Sequence, residues 1–231
     1  GRSRSSSGVQ AKSREIRRYL LDKELILMLK LTQTNAQIEK EILNALAKEA
    51  NYIFKGALQR MTGPIRRIVG SAISTSPEIA ALRSGTLRAD FGITTGIDVT
   101  SPIIDAVSNS VNVYMKPFSV RGRGISGGIF INIQPDNFEN LLSLTTGTAV
   151  TEKGDTLPWL DWLLNLGDSV IIADFGVEYG SFGRSGGGRM TSGKRPFKVD
   201  SSFSGTVANN FVTRALASRQ KQLIDIIMRS V

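Results

Sequence analysis

Residues 34–64, TNAQIEKEILNALAKEANYIFKGALQRMTGP, decide how the rest of the chain is read. Thr34 followed three residues later by Gln37 fits a capping box, in which each side chain satisfies the other's backbone N–H. Beyond it Ile38, Ile42, Leu46, Ala50, Ile53, Phe54, Ala57, Leu58 and Met61 recur every three or four residues. That spacing predicts one long amphipathic helix over residues 34–61. Gly63-Pro64 is expected to stop it, because proline offers no N–H and its ring crowds the preceding turn.

Upstream, residues 1–11 are rich in Ser, Arg and Gly and read as an extended arm. Residues 12–31 turn helical, with Ile16, Tyr19, Leu20, Lys23, Leu27 and Leu31 on one side. The run Leu25 to Leu29 is apolar all round, so this helix is expected to be buried by the fold or by a neighbouring subunit. Residues 1–33 therefore read as a basic arm and helix for intersubunit contact, and residues 34–231 as a single domain. The apolar run is far short of the roughly 20 residues a membrane span needs, so no membrane partner is expected. Residues 1–7 lack the apolar core of a secretory signal.

Downstream, residues 65–73 form a short amphipathic piece. Ser76-Pro77-Glu78 reads as cap, first helical residue and first-turn acid of a helix ending near Ser84-Gly85. Residues 86–93 alternate as a strand or add a helical turn. Residues 107–118 read as a strand, 119–128 as a basic glycine loop and 128–133 as a second strand. Asp136 is expected to cap a short helix through Leu142 or Leu144, and Pro158 to open another over residues 159–166, closed by Gly167. Residues 169–175 read as a central third strand, residues 179–193 as a long glycine loop and 197–199 as an edge strand. A last helix is expected from Ser204 or Thr206 to about Met228. Long terminal helices around a few unevenly connected strands make the expected class α+β, with the helices on a small, mostly antiparallel sheet.

Composition narrows the chemistry. The 231 residues contain no Cys and no His. Disulfides, thiolate nucleophiles, Cys-based metal sites and Ser-His-Asp or Cys-His catalysis are all excluded. The formal charge is +9, and it is polarised. Residues 1–20 carry +5 and residues 181–200 carry +4, whereas residues 131–180 carry −7. Basic segments beside an acidic body suit contacts between copies of the chain, and secondarily contact with nucleic acid.

Catalytic motifs are weak. Gly188 to Lys194 matches G-x-x-x-x-G-K, but Arg195 stands where a phosphate loop needs the Ser or Thr that holds magnesium. A nucleotide-dependent enzyme acting through Lys194 is therefore disfavoured. Asp155, Asp161, Asp168 and Asp174 do not have the alternate-residue spacing of a calcium loop. Trp159 and Trp162 flank Asp161 on a short helix and are expected to anchor it to the core. No enzyme activity, metal or cofactor is expected.

One stretch carries a resemblance. Gly183-Arg184-Ser185-Gly186, Met190, Phe197, Val199, Phe203-Ser204-Gly205-Thr206 and Asn209-Asn210-Phe211-Val212-Thr213-Arg214-Ala215 resemble the end of the tail-completion and neck proteins of long-tailed bacteriophages. Those proteins close a Gly/Arg/Met loop with an F-x-G-T, then N-N-F-[VI]-T-R-A, turn into the last helix. Residues 85–91 and 159–167 fit the same layout. The resemblance spans most of residues 36–230 and is sharp over 183–215.

The resemblance implies a virion protein without catalytic residues, assembled in the host cytoplasm. Such a protein forms a homo-oligomeric ring, commonly a hexamer, that completes the head–tail junction. Its partners would be other neck, connector and tail proteins, with packaged DNA retained at its lumen. Within the motif, Thr206 is a candidate helix cap and Gly205 permits the turn. Asn209 or Asn210 bonds the preceding loop, Phe203 belongs to the same turn, Phe211 enters the core, and Arg214 pairs with an acid. The candidate interface or DNA-facing residues are Arg2, Arg4, Arg14, Arg17, Arg18, Arg121, Arg123, Arg184, Arg189, Lys194 and Arg195. The alternative is a basic nucleic-acid-binding protein that uses the N-terminal and 181–200 segments.

Overall fold

A computed structural model describes residues 33–151, 154–167, 169–192 and 196–230. The N-terminal arm and the helix expected over 12–31 lie outside the described residues, as do Arg2, Arg4, Arg14, Arg17, Arg18, Lys194 and Arg195.

The class is α+β. Eight α-helices and six short strands are described. Helix α1 spans Asn35–Ser74, α2 Pro77–Ser84, α3 Thr86–Asp90 and α4 Thr100–Ser110. Strands β1 (Asn112–Arg121) and β2 (Gly124–Asn132) follow, then helix α5 (Glu139–Leu142), strands β3 (Ala149–Val150) and β4 (Thr156–Leu157), and helix α6 (Trp159–Asn165). Strands β5 (Phe175–Tyr179) and β6 (Gly188–Ser192) precede the last two helices, α7 (Phe211–Ala217) and α8 (Gln220–Ser230). Among the described residues the strands make three separate two-stranded antiparallel ladders, β1–β2, β3–β4 and β5–β6, rather than one sheet.

Thr34 and Gln37 form the capping box at the start of α1. The helix does not stop at Gly63-Pro64. It continues for 40 residues with Pro64 inside it. Met61, Ile65 and Val69 explain why: all three are fully buried on one face. Tertiary packing of that face outweighs the hydrogen bond that Pro64 cannot donate.

Helix α2 begins as its sequence predicts, with Ser76 accepting from Ile79 N–H and Pro77 in the first turn. Residues 86–90 take the helical option. The strand expected from residue 107 is displaced, because residues 100–110 are helical. Asp98 Oδ1 accepts from Thr100 N–H (2.9 Å) and Ser101 N–H (3.1 Å), satisfying the first turn, while Ile103 and Val107 are fully buried four residues apart.

The expected glycine loop over 119–128 is ladder. Ser119 pairs with Ser126, Val120 with Ile125 and Arg121 with Gly124 around a turn at Gly122-Arg123. The register shifts between Lys116 and Ser119, next to Pro117. There Asn51 of α1 substitutes for a neighbouring strand. Its Oδ1 accepts from Phe118 N–H at 2.7 Å and its Nδ2 donates to Phe118 O at 2.9 Å.

Asp136 is not the cap of α5. Phe138 takes that place with φ 53, its ring buried, and Asn137 Oδ1 accepts from Glu139 N–H. Residues 169–174 are not a strand. Ile172 makes one isolated bridge with Phe197, the strand begins at Phe175, and 197–199 contributes only that bridge. The supposed loop over 179–193 contains β6, paired with β5 from Phe175↔Ser192 to Tyr179↔Gly188. The C-terminal helix is two helices, α7 and α8.

The core lies between the C-terminal half of α1, helices α2 to α4, α6 and α7. Trp159 and Trp162 anchor α6 in it. Trp159 stacks on Phe91 with ring centres 5.5 Å apart and donates its indole N–H to Thr146 O at 3.1 Å.

Candidate functional site

The turn into α7 is built from short-range chemistry. Asn210, fully buried, is the helix cap. Its Oδ1 accepts from Val212 N–H (3.1 Å) and Thr213 N–H (3.2 Å), and Thr213 Oγ1 accepts from Asn210 N–H (2.9 Å). The Asn210 amide also donates back to Thr206 O at 3.1 Å.

Thr206 is therefore not the cap. It begins a tight turn that closes on Asn209 through two backbone bonds of 3.0 Å each. Val207 and Ala208, held between those bonds, form a turn and not a helix. Gly205 is required by space: a Cβ there would stand 2.7 Å from Asn210 Cβ and 3.0 Å from Leu163 O. Phe203 is half-buried against the core.

Phe211 is fully buried, and Arg214 meets an acid. Its Nη2 lies 2.6 Å from Glu78 Oε1, and Glu78 is only 3% exposed. Three more of its Nη protons go to the carbonyls of Phe203, Ser204 and Asn209, each at 3.3 Å. One side chain thus ties the motif loop to the first turn of α2. A planar group with five N–H donors can serve a carboxylate and several carbonyls at once, which lysine cannot.

The basic candidates separate into two places. Arg121 and Arg123 are exposed at the turn of the β1–β2 ribbon. Arg184 and Arg189 lie on the β5–β6 hairpin, where with Asp155 and Met190 they line a cavity of about 510 Å³. Arg184 is half-buried and donates to Val150 O. Arg189 pairs with Glu178 at 3.0 Å and sits 5.3 Å from the Phe182 ring centre. That ion pair is exposed on both sides and contributes little to stability. The loop of residues 180–187 between β5 and β6 needs Gly183, which has φ 76 and would place a Cβ 2.1 Å from Gly188 O. Residues 188–192 are ladder, so no phosphate cradle forms from them.

A third feature escaped the sequence reading. Tyr179 Oη donates to Asp90 Oδ1 at 2.6 Å, and the pair borders a cavity of about 600 Å³ with Phe175, Phe197, Lys198 and Asp200. Asp90 is 5% exposed. Burial raises its pKa to about 6, against the lowering effect of the Tyr179 hydrogen bond and with a small push from Asp200. Burial and the neighbouring carboxylate also raise Tyr179. Asp200 is held below its ordinary value by hydrogen bonds from Ser202 and by Lys198. The two partners are 89 residues apart, and no local pattern marks either one.

Arg88 was missed for the same reason. It is 9% exposed and donates to the carbonyls of Leu82 (3.2 Å), Ile97 (2.9 Å) and Thr94. Its work is to satisfy backbone groups around α3. Among the described residues no three acidic side chains gather as a metal site, and no helix is long and apolar enough to cross a membrane.

No family model, curated protein or solved structure matches the chain.

Proposed function

We propose that the chain is a structural subunit of the neck of a long-tailed bacteriophage. It forms a homo-oligomeric ring, six copies in the simplest case, that completes the junction between filled head and tail. Its partners are further copies of itself, the connector and tail proteins on either side, and packaged DNA passing through the lumen. It is a virion protein and not an enzyme.

The observation that carries the reading is the stretch 203–215, with its F-x-G-T and N-N-F-V-T-R-A segments. Its Asn210 and Arg214 side chains are occupied by architecture. Asn210 caps a helix and Arg214 ties that helix to Glu78, so the stretch builds a rigid joint instead of presenting reactive groups. The polarised charge supports the same reading. A ring is a heterologous assembly in which one surface meets a different surface of the next copy, and segments of +5 and +4 beside one of −7 suit such a contact.

The test is assembly. Mass photometry of the purified full chain is expected to give one closed species at a small multiple of 25.1 kDa. Electron microscopy of particles carrying a tagged copy is expected to place the tag at the head–tail junction. A chain that stays monomeric at micromolar concentration and is absent from particles overturns the proposal.

A further inference from the structure

The β1–β2 ribbon has two faces of different character. Alternation along each strand sends Val113, Ile129 and Ile131 toward the core, and Phe118 onto Phe54 of α1 with ring centres 5.0 Å apart. The opposite face is unused by anything described above. It carries Tyr114 and Phe130 directly across from each other, ring centres 5.4 Å apart and nearly parallel. They remain 49% and 43% exposed, whereas Phe91 and Phe211 are fully buried. Along the same face from Tyr114 come Lys116 and Arg121, with Arg123 in the turn, all exposed. Between them the ribbon offers only small partners, Ser119, Gly124, Ser126 and Gly128. Residues 112–132 include three bases and no acid.

We propose that this face binds single-stranded nucleic acid, with bases stacking on the Tyr114–Phe130 pair and phosphates drawn to Lys116, Arg121 and Arg123. Each element has a reason. Stacking needs exposed rings and tolerates any base, and an acid-free row of cations tracks a phosphate backbone. The small residues between ring pair and turn let the strand lie close to the ribbon. A duplex hides its base faces and leaves the aromatic pair without a role. An acidic protein surface satisfies the cations, but the Ser/Gly middle of the ribbon gives it few side chains to interdigitate with. The proposal stands on this ribbon alone and does not require the chain to form a ring.

The experiment measures fluorescence anisotropy of the full chain with a labelled oligothymidylate of about 12 nucleotides, a length within the range one such site covers. The double variant Tyr114→Ala/Phe130→Ala is expected to lose at least about tenfold in affinity, the effect of removing one stacked base. Tyr114→Phe, which keeps the ring, is expected to bind like the parent. Arg121→Ala/Arg123→Ala is expected to weaken binding and flatten the slope of log K against log salt by roughly 1.4, from two phosphate contacts on a single strand. These arginines lie at an exposed turn, so that variant remains a valid test if the aromatic double variant melts early. Parent-like binding by both double variants overturns the proposal. So does a duplex of equal length that binds as tightly as the single strand, or a parent chain that binds neither. Ring formation is read separately by mass photometry.

Discussion

The two halves of α1 are made of similar residues and meet opposite fates. In residues 57–73, Ala57, Met61, Ile65, Val69 and Ile73 are fully buried. In residues 38–53 the apolar positions recur at the same spacing, yet only Ala47 is buried, and Ile42 is 55% exposed, Leu46 53% and Ile53 38%. Periodicity tells which side chains share a face of a helix. It does not tell whether the rest of the chain returns to cover that face. Helices α4, α7 and α8 pack along α1, and the β1–β2 ribbon rests on it near Asn51 and Phe54. Among the described residues nothing buries Ile42 or Leu46.

The widest separation between the halves should appear in paired truncations. Met61→Ala empties a fully buried position and is expected to cost about 2–5 kcal/mol, the range for large-to-small changes in a packed core. Leu46→Ala, about half exposed, is expected to cost no more than about 0.5 kcal/mol. Denaturant unfolding of both variants checks this. Equal losses would mean that the bare half is covered in solution, and the contrast would disappear.

Next comes the tie that holds the covered half closed. Arg214→Ala leaves the Glu78 carboxylate buried without its partner. Removing one member of a buried pair costs roughly 3–5 kcal/mol, and the lower end applies because Arg214 keeps about a third of its side chain in water. Arg214→Lys is expected to recover only part of the loss, since a single ammonium cannot serve Glu78 and three carbonyls together. Thermal unfolding of the two variants ranks them.

The covered side also contains a titratable group, Asp90, whose effect has a definite sign. Its carboxyl has a pKa of about 6 folded, against 3.8 as the ordinary value. Between these values the folded state binds the proton that the unfolded state has released. The stabilisation is therefore complete below about pH 4 and disappears as pH rises through 6, an effect on the order of 2 kcal/mol after allowance for the open cleft beside it. Asp90→Asn is expected to remove this slope and to be more stable than the parent at pH 7. Asp98 acts in a separate window. Hydrogen bonds from Ser101 and Thr100 hold it low, so its stabilisation is present above pH 4 and disappears in stronger acid. Urea titrations at pH 2, 3, 4, 5, 6 and 7 separate the two; a parent profile flat from pH 4 to 7 contradicts the role of Asp90.

What the sequence made legible follows the range of the interactions. The Thr34–Gln37 box, Ser76-Pro77 and the Trp159–Trp162 helix declare themselves within four residues, and all three lie where local chemistry places them. The β5–β6 ladder did not, because glycines read as a loop until a partner strand supplies the hydrogen bonds. The site shows the same division. That Arg214 needs an acid follows from its place beside Phe211. That the acid is Glu78, 136 residues away, follows only from the fold. The Asp90–Tyr179 pair is the extreme case, since neither residue carries any local mark of its partner.

The smallest expected effect lies at the joint between the two halves. Gly63 is exposed, helical and one residue before Pro64, and a Cβ built on it meets nothing within 4 Å beyond its chain neighbours and the helix's own backbone. Gly63→Ala therefore adds no contact outside its own stretch of helix, but its Cβ crowds the Pro64 ring, as at any helical residue before proline. It acts on the unfolded chain, which loses conformations that only glycine reaches, and on helix propensity. Together these are worth about 0.5–1 kcal/mol, and crowding against Pro64 offsets part of the gain, so the net stabilisation is expected to stay under about 0.5 kcal/mol. If Gly63-Pro64 were a hinge on which the bare half moves independently, alanine would instead stiffen it, and hydrogen exchange of residues 38–53 would slow while that of 65–73 stayed the same. If the halves are one continuous helix, both segments gain the same small protection. Measuring exchange in the parent and in Gly63→Ala thus decides whether the difference between the halves is one of covering alone or of motion as well.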